Sequence, residues 1–96
     1  MPSYRITLSP GALRQGASPE RVIPTMTDAA AELVTVEASD VQLVRGTPRI
    51  VVRFTADDDE LAEQVAAHAA SVAATVVEVG GWFVTRRDRG RWKRIA

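Results

Sequence analysis

The sequence predicts an α+β fold, with two helices laid on a sheet that is built largely from hairpins. Three observations carry that expectation. Tyr4, Ile6 and Leu8 alternate with Arg5 and Thr7, the period of a half-buried strand. Leu61, Val65, Ala69, Val72 and Val76 recur at the spacing of one helix face. Two pairs of β-rich segments each fold back at a short turn containing glycine. At 96 residues the chain has the length of one domain with a modest core, so residues 1–96 are expected to form a single unit.

The first strand is expected over Tyr4 to Leu8, ended by Ser9-Pro10-Gly11, with a loop over Gly11 to Ser18. Ser18-Pro19-Glu20 has the features of a helix start: a hydroxyl N-cap, proline at the first position and an acid near the positive end of the dipole. Pro24 has no N–H to donate and is expected to interrupt, with a restart at Thr25 or Thr27 and helix over most of Thr27 to Leu33. Residues 34–38 read equally as helix or strand, because Val34-Thr35-Val36 is β-branched. Val41 to Arg45 and Arg49 to Thr55 flank Gly46-Thr47-Pro48 as a hairpin. Ile50-Val51-Val52, apolar on both faces, suggests a central strand. The second helix opens at Asp57 to Glu60, with Asp57 as cap and Glu60 closing a capping box. A strand returns at Val76 to Val79, and Gly80-Gly81 marks a bulge or bend.

A C-terminal hairpin extension is expected over residues 82–96. Asp88-Arg89-Gly90 predicts a three-residue loop with Gly90 in the left-handed region, which pairs Arg87 with Arg91 and sets Arg86 opposite Trp92. This segment is also the most unusual in the chain. It holds six basic residues against one acid, both tryptophans and one of the two phenylalanines, for a net charge of +5. The remainder, with six basic and eleven acidic residues, carries −5. The tail is therefore either a binding surface or a basic edge that fastens onto the acidic body.

The order β, α, β, β, α, β with a final added strand resembles the ferredoxin-like α+β sandwich with a C-terminal β-hairpin extension. The resemblance lies in the order of elements, and that fold hosts many functions. The RNA-recognition family shares this order, but its central strand carries stacking aromatics. Here Arg49 and Val51 stand in those places, and only Val52-Arg53-Phe54 fits the end of its pattern.

Composition narrows the classes further. Average apolar and charged fractions fit neither a disordered chain nor a membrane protein, and no apolar run reaches the roughly 18 residues of a membrane span. The chain has no cysteine, hence no disulfide and no thiol nucleophile. The segment MPSYRITLS lacks signal-peptide character, and a cytoplasmic location is expected. Lys93 is the only lysine among twelve basic residues, a bias that GC-rich coding produces on its own. The clustering of the arginines carries more information than their number.

Four segments are candidate sites. Gly11 to Ser18 has the glycine and serine spacing of a phosphate-binding loop, but Ala17 replaces its lysine and Pro19 removes an N–H. His68, the only histidine, has no serine or carboxylate tied to it by spacing and reads as a helix residue at the core margin. Asp57 to Glu60 reads as a solvated, capping helix start rather than a cation site, and as a docking point for the tail. The hairpin residues Arg86, Arg87, Arg89, Arg91, Trp92, Lys93 and Arg94 form the remaining candidate, because arginine and tryptophan dominate binding hot spots. The expected function is a non-enzymatic binding or assembly domain whose hairpin contacts an acidic protein surface, either a protein partner or a second copy in a homodimer. Nucleic-acid binding by the same residues is the alternative, and a small enzyme using His68, Glu78 or Tyr4 comes third. No cofactor, no metal and no membrane partner are expected.

Overall fold

The computed structural model describes residues 1–96 and is α+β, with one five-stranded antiparallel sheet and two α-helices. The strands are β1 (Ser3–Leu13), β2 (Val36–Val44), β3 (Thr47–Thr55), β4 (Val77–Asp88) and β5 (Arg91–Arg94). A short 3-10 turn (Pro19–Arg21) leads into α1 (Val22–Ala31), and α2 spans Asp59–Ala73. The strand order is β2-β3-β1-β4-β5, so the first strand lies at the centre.

Register decides which side chains meet. Tyr4, Ile6 and Leu8 of β1 face Phe54, Val52 and Ile50 of β3 on one side. On the other side they face Arg86, Val84 and Trp82 of β4. All of these except Arg86 and Trp82 are buried beneath the helices. Tyr4 and Phe54 stack with ring centroids 5.8 Å apart. From above, α1 contributes Val22, Met26 and Ala30, and α2 contributes Ala62, Val65, Ala66, Ala69, Ala70 and Ala73. The alanines carry no bulk beyond Cβ, so α2 lies close against the strands and leaves little volume to fill.

Several expected boundaries move. Proline does not end β1: the strand runs on to Leu13, and its register against β4 shifts at Ser9/Pro10 and again at Pro10/Leu13. At such a bulge the missing N–H of proline breaks no ladder bond. The expected loop therefore begins after Leu13. Pro24 does not interrupt α1 either. It is the third residue of the helix, within the first turn, where backbone N–H groups have no intrahelical partner to lose. Helix α1 thus starts before Thr25 and closes at Ala31, and the β-branched segment becomes strand from Val36. Asp58, rather than Asp57, caps α2: its Oδ1 accepts the Leu61 N–H at 2.9 Å.

Both hairpins turn more tightly than expected. Arg45 and Gly46 have φ of 53° and 79°, and Arg89 and Gly90 have 51° and 81°. Two successive positive φ values are the signature of a two-residue type I′ turn, which suits the right-handed twist of the strands. In the C-terminal hairpin this replaces the three-residue loop. Asp88 pairs with Arg91, Arg87 with Trp92, Arg86 with Lys93 and Thr85 with Arg94. The expected pairing of Arg87 with Arg91 is thus one residue out of step. A slip of one residue carries every β5 side chain to the opposite face of the sheet. No helix is long and apolar enough to cross a membrane.

Candidate binding site on the open sheet face

The helices cover one face of the sheet and leave the other open. By register and alternation the open face carries Arg5 of β1, Arg49 and Arg53 of β3, Phe83 and Arg87 of β4, and Trp92 and Arg94 of β5. Three of these arginines meet around the Trp92 ring. The Arg5 guanidinium carbon lies 4.0 Å from the centroid of Trp92, that of Arg53 5.3 Å and that of Arg87 5.5 Å. Arg94 lies 5.0 Å from the centroid of Phe83. A cation within about 6 Å of an aromatic face is attracted by the ring quadrupole. Trp92 thus gathers cations that would otherwise repel one another.

Two acids stand at this face: Asp40 of β2, which lines a hollow with Arg5 and Arg53 without an ion pair to either, and Glu37. Glu37, pushed out at the bulge between Val36 and Ala38, lies 3.5 Å from Arg53 Nε and accepts a hydrogen bond from Ser3 Oγ at 2.8 Å. No other ion pair joins the guanidiniums around Trp92. Burial, and then the charges of Arg53 and Arg87, push the Arg5 guanidinium below its ordinary range. Arginine still stays protonated at neutral pH. Burial is the larger cause of the lowering; the neighbouring cations add to it, and that added repulsion is what an anion would relieve.

The hairpin residues singled out in the sequence divide between the two faces. Arg87, Trp92 and Arg94 join the open face. Arg86 points to the helix side, where its Nη1 donates to Asp59 Oδ1 at 3.1 Å. Lys93, opposite Arg86, pairs with Asp88 at 3.0 Å. Arg89 occupies the turn and Arg91 is exposed beside it. Arg5 and Arg53, which reach Trp92 from other strands, were outside the sequence-based set.

Arg86 meets the acidic start of α2 within its own chain. Asp59 Oδ1 also accepts the Tyr4 hydroxyl at 2.8 Å, so one carboxylate oxygen ties β1, β4 and α2 together. Burial of Tyr4, reinforced by the bond to Asp59, pushes its phenol up to about 12. This raised value favours the neutral hydrogen-bond donor and makes Tyr4 a poor general base at neutral pH. Because the folded value exceeds the unfolded value of about 10, the contribution of this group to stability is complete below pH 10. It fades as pH rises through about 12. Tyr4 is the only tyrosine in the chain, so tyrosinate absorbance reports it alone. Titration of the native protein should show a midpoint near 12, and Asp59→Asn should lower it. A native midpoint near 10 would contradict the buried, bonded phenol.

The other candidate segments take structural places. Arg14 is tied to the end of α2, its Nε donating to the Ala74 carbonyl at 3.0 Å and its backbone N–H to that of Val76 at 3.0 Å. His68 is half-exposed, with Nε2 3.6 Å from Glu32 Oε2, beyond hydrogen-bond distance. Glu78 is exposed beside Gly11, where β1 and β4 shift register. Comparison with models of protein families, with curated proteins and with solved structures found no match for this chain.

Proposed function

We propose that this chain is a non-enzymatic binding domain whose open sheet face holds an extended single strand of nucleic acid. The observation that supports this most directly is the convergence of Arg5, Arg53 and Arg87 on Trp92, within 5.5 Å of its ring. Single-strand binding surfaces combine cations that follow the phosphates with aromatic rings that accept bases of any sequence. A flat sheet presents both at strand spacing, about 4.8 Å across the strands and about 7 Å along them for side chains of one face. We also read the layout as ferredoxin-like. The succession β2-β3-β1-β4, with α1 and α2 on one face, supports that, and β5 then extends the sheet beyond β4.

Labelled oligothymidylate, followed by fluorescence anisotropy over a salt series, tests the function. Three phosphate contacts on a single strand predict that log K falls against log salt with a slope of about −2. The second reading, an acidic protein surface as partner, is favoured by the 4.0 Å approach of Arg5, which already covers part of the Trp92 ring. Binding of polyglutamate with no anisotropy change for the oligonucleotide at low salt would reject the nucleic-acid reading and support the protein one.

A further inference from the structure

The two edges of the sheet are built in opposite ways. At one edge β5 is four residues long, and its sequence Arg91-Trp92-Lys93-Arg94 places three cations on it. A short, charged strand discourages pairing with another chain. At the other edge β2 is nine residues long and exposed everywhere except Val36, which is partly buried. It carries no lysine, arginine or proline, and Val41, Leu43 and Val44 are 43%, 73% and 45% exposed. A long edge strand with apolar side chains is a template for a further strand; of its outward donors, the Val41 N–H is held by Asp40 Oδ1 at 2.8 Å, a bond that an incoming strand would displace.

We infer that β2 is the seat of a homodimer, pairing antiparallel with β2 of a second copy about a twofold axis through Val41. The charge order along the strand selects this partner and this register. Acids stand at its second and fifth residues (Glu37, Asp40), and a cation, Arg45, follows its last residue. Antiparallel self-pairing centred on Val41 brings the Glu37 end of each strand, whose carboxylate already holds Ser3 Oγ and lies 3.5 Å from Arg53, towards the turn residue Arg45 of the other, and sets Asp40 beside Gln42. Centring one residue earlier, on Asp40, would set two aspartates face to face, which is destabilising. In the chosen register Val41 meets its own copy and each Leu43 lies diagonally beside it, so these two exposed apolar side chains cover one another. Pairing of identical edges also closes after two copies, whereas β2 against the β5 edge of another copy would run on as an open array. The product is a continuous ten-stranded sheet. Because the axis is normal to the sheet, both Trp92 clusters lie on the same side of it. Edge pairing does not depend on what the open face binds.

The absence of native cysteine makes the test direct. Sedimentation of the intact chain should give twice the 10.4 kDa mass of one copy. Val41→Cys should form a covalent dimer under mild oxidation, because directly opposed Cβ atoms can reach disulfide distance. Lys93→Cys at the other edge should not. Val41→Lys combined with Leu43→Lys changes only exposed side chains. It should leave the circular dichroism of the fold intact and weaken dimerisation at least about tenfold. A mass that stays at one chain at every concentration overturns the inference. So does a dimer that Val41→Cys fails to link, or one that the double lysine variant leaves intact.

Discussion

Replacing Arg53 and Arg87 together by alanine weakens single-strand binding about thirtyfold at low salt, taking about 1 kcal/mol for each lost phosphate contact. The salt slope falls by about 1.4, since each contact on a single strand contributes about 0.7. Arg91→Ala with Lys93→Ala supplies the control. It removes the same number of charges, both from the C-terminal segment, and from residues that alternate away from Trp92. If the tail acted as a plain basic tether, the control would weaken binding at least as much, since both of its charges lie in the tail and Arg53 does not. If the face is the site, the first double variant loses far more than the second. Equal losses in the anisotropy titration would remove the open face from the proposal.

Phe54→Ala has the largest expected effect on stability. Phe54 is fully buried on β3, stacked on Tyr4 and covered by the helices. Deleting a buried phenylalanine ring costs about 3–5 kcal/mol, the transfer free energy of the lost atoms plus the cavity left behind. The alanine-rich face of α2 has no long side chains to fold into that space. Domains of this size are held by only about 5–15 kcal/mol, so the variant is expected to lose a large share of its stability, measured by urea unfolding. A loss below about 1.5 kcal/mol would show that the helices collapse onto the gap.

Much of the core was legible because alternation and helical spacing are local. Tyr4, Ile6 and Leu8 announce their face in five residues, and Val65 and Ala69 announce theirs in one turn of helix. The prolines misled for a physical reason. Pro10 and Pro24 stand where no backbone N–H is needed, at a strand bulge and in a first helical turn, and that depends on what lies opposite. The C-terminal register turned on Arg89. A non-glycine residue at φ 51° is uncommon, so the sequence alone favours a loop that spares it. That single residue decides the face on which Trp92 lies. The site itself was only half legible. Arg5 and Arg53 each read as one charge in a strand, and nothing local says that β1 lies between β3 and β4 and brings both to Trp92.

The central place of β1 also has a consequence for how the chain reaches its native state. Of the five strands of this sheet, the earliest in the chain is flanked by β3 and by β4, and Tyr4 pairs with Arg86, 82 positions away (86 minus 4). Local hairpins β2–β3 and β4–β5 can form early, since their turns close loops of two residues. The sheet can join them only through a segment that was synthesised before either hairpin. Loop-closure entropy must be met before those distant contacts reward it, so the folding rate should belong to the slower α/β domains. Until then Tyr4, Ile6 and Leu8 remain an uncovered apolar strand, the part of the nascent chain most in need of protection from its neighbours.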